Sequence, residues 1–181
     1  YHRLLGGGRV AIGSGAARAD WTCHAGYGHA PEHIALHNES RGILISGDMV
    51  LPRISTNVSV VDVEPEADPL TLYLDSIERM RAIDPGVLVL PSHGLPFKGL
   101  HTRIGQLQAH HAERFAETLE ACAAKPLSAF ELVPVLFTRA LDLHQMTFAI
   151  GESIAHLHAL WYAGKLGREV GSDGVIRFRT V

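Results

Sequence analysis

The chain has 181 residues, 46% hydrophobic and 19% charged, with a mean hydropathy of +0.10. That is the profile of a packed chain and excludes a disordered one, at a length that accommodates one large or two small domains. A net charge of −3 gives no general attraction for nucleic acid or an anionic membrane, and no apolar run approaches the roughly 20 residues a spanning helix needs.

In chain order, Gly6-Gly7-Gly8 leads into a strand over 9–12, and a turn over 13–20 feeds a strand over 21–27. Residues 33–37 and 42–46 flank Asn38-Glu39-Ser40-Arg41, whose polar make-up predicts a hairpin turn. The acidic, proline-bearing stretch 62–68 is a loop. Asp68-Pro69 then opens a helix with Asp as N-cap and Pro at the first helical position. Leu70, Tyr73, Leu74, Ile77, Met80 and Ile83 recur at helical spacing, so one face packs, and Asp84-Pro85-Gly86 ends the helix. The wholly apolar run 87–90 reads as a covered strand.

Beyond Gly99 the pattern turns helical: 101–124, then 128–137 with a Ser128/Glu131 capping box, then 144–163. Residues 166–170 and 175–179 flank Gly171-Ser172-Asp173-Gly174, a hairpin. Three helices and a hairpin outline a winged-helix-like domain over 102–181, after a first domain over 1–101.

Three side chains stand just past predicted strands: His29 in Gly28-His29-Ala30-Pro31-Glu32-His33, Asp48 in Gly47-Asp48, and His93 in Pro91-Ser92-His93-Gly94. Any one alone reads as a turn residue. Neutral imidazoles and a carboxylate are, however, a ligand set for zinc, manganese or iron, and turns on a rigid sheet can hold them in register. Twelve histidines in the chain fit a metalloprotein, although His24, His37, His110, His111, His144, His156 and His158 sit on patterned elements without evident partners and read as packing or surface residues.

Over residues 8–100 these motifs resemble the second half of a metallo-β-lactamase-fold hydrolase, a superfamily that includes glyoxalase-II-like thioesterases, lactonases and nucleases. The resemblance implies an α+β fold, one half of an αββα sandwich, followed here by the winged-helix-like domain. It implies His29 and His93 as metal ligands, Asp48 as a bridging carboxylate, and one or two divalent ions, zinc foremost. Ala30 and Glu32 stand where Thr and Gly are commoner, which leaves His33 as a supporting or strand residue.

The family's H-x-H-x-D-H string, which furnishes the remaining ligands and the aspartate near the hydrolytic water, does not occur in the chain. The catalytic residues proper are therefore expected in an absent amino-terminal half, and the chain by itself is expected to be inactive. Half a sandwich leaves an apolar sheet face bare, so self-association or contact with the other half is expected.

Residues 51–60 follow Asp48 directly and should border the cleft, where Arg53, Ser55 and Asn57 could orient a small anionic or amide-bearing substrate; His101 is a further candidate. From 101 to 181 eight Lys or Arg face eight Asp or Glu, and the third helix carries neither Lys nor Arg. A groove-reading helix needs cations, so nucleic acid is not an expected partner. The two cysteines, Cys23 and Cys122, lie far apart and suit a reducing cytoplasm better than a disulfide framework. The leading reading is a metal-dependent thioester or ester hydrolase. A nuclease of the same fold and a non-catalytic binding or assembly module are the alternatives.

Overall fold

Alternating side chains and glycine turns set the first half of the chain. The computed structural model describes residues 2–181. Strands β1 (Arg9–Ile12), β2 (Ala19–Gly26), β3 (His33–Asn38), β4 (Ile43–Gly47) and β5 (Leu88–Pro91) form one sheet in sequence order. β1 to β4 pair antiparallel and β5 joins β4 in parallel. The Asn38-Glu39-Ser40-Arg41 turn forms as expected, with Asn38 Oδ1 accepting the Arg41 N–H at 2.8 Å. A parallel partner requires a crossover, and helix α1 (Pro69–Arg79), continued by a 3-10 turn at Met80–Ala82, lies between β4 and β5.

The chain divides into two compact units: residues 1–56 with 72–107, and residues 57–71 with 108–181. In the first, Leu44 and Val89 on one face of the sheet are fully buried, as are Tyr73, Ile77, Leu100 and Ile104, and the core lies on that side of β4 and β5. The other face is apolar throughout its centre, with Trp21, Leu36, Ile43, Leu88 and Leu90, yet Ile12 is 44% and Ile45 36% exposed.

The remaining helices are α2 (Leu100–Ala124), α3 (Ala129–Leu136) and α4 (Leu143–Tyr162), followed by the hairpin β6 (Leu166–Val170) and β7 (Ile176–Thr180). The Ser128/Glu131 capping box is present, and a second box, Asp142 with Gln145, starts α4. The second unit's core is Cys122, Leu127, Leu132, Leu136, Leu157, Leu160, Leu166 and Phe178. Residues 57–71 belong to this unit through backbone contacts: the Val60 N–H donates to Gly151 O at 3.2 Å, the Tyr162 hydroxyl to Glu66 O at 2.6 Å, and His158 Nδ1 lies 2.9 Å from Ala67 O. Gly151 allows that approach, because a Cβ there would stand 2.7 Å from Ser59 Cβ.

Two histidines without evident partners in the sequence prove to be neighbours. His156 Nδ1 lies 2.8 Å from Glu152 O, and His156 Nε2 lies 3.3 Å from His111 Nδ1; both rings are fully buried. Among the described residues no helix is long and apolar enough to cross a membrane.

Candidate metal centre

β2 and β4 run the same way because each is antiparallel to β3, and β5 is parallel to β4. The carboxyl ends of all three strands therefore open on one edge of the sheet. His29, Asp48 and His93 follow those ends within one to three residues. Strand direction is what converts three distant sequence motifs into neighbours.

His29 Nε2 lies 3.6 Å from Asp48 Oδ2, and His93 Nε2 lies 3.5 Å from Asp48 Oδ1. One carboxylate thus faces a different imidazole with each of its oxygens. Two ligands bound at about 2.0–2.1 Å to one tetrahedral ion stand roughly 3.4 Å apart, so both separations suit an ion between imidazole and carboxylate. Among the described residues, no group of three or more His, Cys, Asp and Glu closes on a common point. The arrangement is two His–Asp pairs sharing Asp48, and each pair supplies only half of a four-ligand set.

Neighbouring groups fix Asp48. The Ser92 hydroxyl donates to Oδ1, the Thr56 hydroxyl donates to the Asp48 carbonyl at 2.5 Å, and the Asp48 N–H donates to His33 Nε2 at 3.4 Å. Burial holds the His33 pKa below the ordinary imidazole value, His29 adds to that, and Asp48 opposes it. A neutral ring keeps the Nε2 lone pair available to accept. His33 therefore supports Asp48 from the first position of β3. Gly47 has φ +55°, and a Cβ there would stand 2.3 Å from His33 Nε2, so a side chain at this turn strains the backbone and displaces the His33 ring.

The His29 loop is anchored by the Tyr27 N–H, which donates to Ser76 Oγ at 3.0 Å. The segment after Asp48 is anchored by the buried Tyr73 hydroxyl, which donates to Met49 O at 3.1 Å, and by Arg103, whose Nε donates to Leu51 O at 2.6 Å and Nη2 to Ile54 O at 2.9 Å. Burial pushes the Tyr73 phenol up to about 12. Of these supports the sequence singles out His33 alone. Ser92, inside Pro-Ser-His-Gly, has a local signal; Arg103 lies about fifty residues from the carbonyls it binds and carries none.

Of the candidate substrate residues, Arg53 lines a cavity of about 470 Å³ together with His93, Pro52, Ile54, Leu95 and Phe97. Ser55 does not line it. Asn57 belongs to the second unit, where its Oδ1 accepts from Ser59 at 2.9 Å. His101 sits on α2 with Nε2 2.9 Å from Ile83 O and is occupied there.

Residues 13–93 match the family model described as metallo-beta-lactamase superfamily, and residues 115–181 match that of the metallo-beta-lactamase-like C-terminal domain. A beta-lactamase domain protein from Burkholderia ambifaria superposes with a TM-score of 0.95 at 59% identity, over all of this chain and 52% of its own. A metallo-beta-lactamase family protein from Thermus thermophilus gives 0.83 at 29% identity, over 98% of this chain and 54% of its own. The "Probable metallo-hydrolase YqjP" of Bacillus subtilis (strain 168) is 28% identical over 137 residues, 74% of this chain and 42% of that protein. The chain belongs to the metallo-β-lactamase superfamily. It spans about half the length of these relatives.

Proposed function

We propose that the chain forms part of a metal-dependent hydrolase that cleaves a small thioester or ester. The shared carboxylate carries this reading: Asp48 presents one oxygen to His29 and the other to His93. In it, His29 with Asp48 holds one divalent ion and His93 with Asp48 a second, zinc being favoured by the imidazole and carboxylate donors, with manganese or iron as substitutes. A divalent ion so held supplies Lewis acidity and an activated water near neutral pH. Ser92 and His33 keep the Asp48 carboxylate and main chain oriented, and Arg53 positions an anionic portion of the substrate beside His93. The remaining ligands and the water-directing aspartate are assigned to an H-x-H-x-D-H segment, so this chain by itself is inactive on the proposal.

Equilibrium dialysis against micromolar zinc, with thioester hydrolysis assayed in a longer chain that carries such a segment, tests the reading. Asp48→Asn should lower zinc affinity and hydrolysis by more than the about 10–100-fold expected for a residue that merely supports a ligand. Zinc binding untouched by both Asp48→Asn and His29→Ala would overturn it. A second reading, a non-catalytic assembly module, is favoured by the lack of any three-donor cluster among the described residues. It requires that both the chain and its longer form stay metal-free at micromolar zinc. A nuclease is less well supported, because α4 has no Lys or Arg and the cavity beside His93 is apolar.

The half-exposed apolar sheet face supports association, with a second copy or with a segment completing the fold. The helical unit is read as winged-helix-like and not as a nucleic-acid reader. Two free, buried cysteines, Cys23 and Cys122, favour a reducing, cytoplasmic setting.

A further inference from the structure

We propose that the cavity beside His93 is an acyl subsite, which takes the apolar chain of an amphiphilic ester or thioester whose anionic group is held by Arg53. That the occupant is a substrate rests on the hydrolase reading above; that the cavity binds such a molecule does not.

The walls come from the two loops that carry the candidate ligands. Pro52, Arg53 and Ile54 follow Asp48, and Leu95 and Phe97 follow His93, so whatever fills the space lies directly against a candidate metal ligand. Both walls are held before any ligand arrives. Arg103 binds the carbonyls of Leu51 and Ile54, while Phe97 exchanges two backbone hydrogen bonds with Val89, at 2.8 and 3.0 Å. Gly94 packs so closely on Pro52 that a Cβ would come within 2.7 Å of its ring. A cavity built on anchored backbone costs little ordering on binding.

Its chemistry selects the occupant. The volume of about 470 Å³ falls in the ordinary range for small-molecule sites, roughly 300–1,000 Å³. Ile54 is 61% and Leu95 77% exposed, two large apolar side chains kept in water at the mouth of one cavity. Arg53 is the one charged side chain in the lining, and it makes no hydrogen bond or ion pair with another described residue. A guanidinium with its donors free, set in an apolar wall, suits a carboxylate or phosphate joined to a hydrocarbon chain. A neutral lipid leaves Arg53 unused, and a compact anion leaves the apolar wall wet.

Titration calorimetry of the zinc-supplemented full chain with acetate, butanoate, hexanoate, octanoate and octan-1-ol tests this. Affinity for the carboxylates should rise about three- to fourfold per added methylene. Arg53→Gln should weaken octanoate about tenfold and leave octan-1-ol unchanged, with Arg53→Lys restoring most of the loss. Leu95→Ser should weaken both ligands. Affinity independent of chain length, or octanoate binding indifferent to Arg53→Gln or to Leu95→Ser, would overturn the subsite. The two readings fail separately: Asp48→Asn should retain octanoate binding, so hydrolysis that survives this change sinks the metal-dependent reaction and leaves the subsite standing.

Discussion

Asp48 is useful only because its neighbours allow one orientation of its carboxylate. The Gly47 backbone occupies the left-handed region, and the space a Cβ would need is filled by the His33 ring that accepts the Asp48 N–H. Gly47→Ala must therefore strain the backbone and displace that ring together. The expected cost is about 1–2 kcal/mol of stability from the backbone conformation, with a larger proportional fall in zinc affinity. Urea unfolding and zinc titration of the same variant separate the two effects. Native-like affinity in Gly47→Ala would show that the His33 contact with the Asp48 N–H does not position Asp48.

Strand direction, at the scale of elements, does what no single residue can. Three carboxyl ends on one sheet edge bring His29, Asp48 and His93 together, and an antiparallel β5 would have carried His93 to the opposite edge. The same sheet shows a face that is apolar but half-exposed, where Ile12 and Ile45 remain in water beside Leu36 and Leu90. Removing such a face from water yields on the order of 25 cal/mol per Å² of apolar area. Self-association at tens of micromolar is the expected result in sedimentation velocity, and Ile45→Lys, which puts a charge at the centre of the face, should shift the population toward monomer. A native chain that sediments as monomer throughout that range, unchanged by Ile45→Lys, contradicts the association reading.

For the whole molecule, the buried histidine pair sets a pH dependence of stability. Burial, then His156 and His110, drives the His111 pKa down to about 3; burial above all lowers His156 to about 4, with the Glu152 carbonyl opposing and His110 and Arg114 adding slightly. Burial raises the partly buried Glu152 carboxyl to about 7 against the pull of Arg114. Unfolded histidines gain protons near pH 6.5, so the stability of the neutral pair is complete above that pH and falls away as pH drops toward 4. The neutral Glu152 carboxyl acts oppositely: its contribution is complete below about pH 4.5 and is lost as pH rises through 7. Two histidines outweigh one carboxyl on the acid side, so stability rises with pH from 4.5 and levels off near pH 7. Chemical denaturation followed by circular dichroism between pH 4.5 and 8 checks this, with His156→Gln flattening the rise and Glu152→Gln steepening it. A native profile that is flat or falls between pH 4.5 and 7 would contradict it.

Local information was enough for much of the fold. Ser128 with Glu131 announces α3, Asp68-Pro69 announces α1, and the apolar run ending at Leu90 announces β5, because caps and side-chain periodicity act within a few residues. His29, Asp48 and His93 stand out as candidates for the same reason, each set beside a glycine at a strand end, and the fold brings them together. The rest depended on contacts between distant segments. The pairing of His111 with His156, the anchoring of Leu51 and Ile54 by Arg103, and the bonds from Gly151, His158 and Tyr162 of α4 to residues 57–71 join parts of the chain that share no local pattern. The sequence by itself determined the elements and offered the candidate donor types; tertiary packing alone decided which carboxylate oxygen faces which imidazole and which arginine was left free, because hydrogen bonding and burial across long separations leave no periodic trace in the chain.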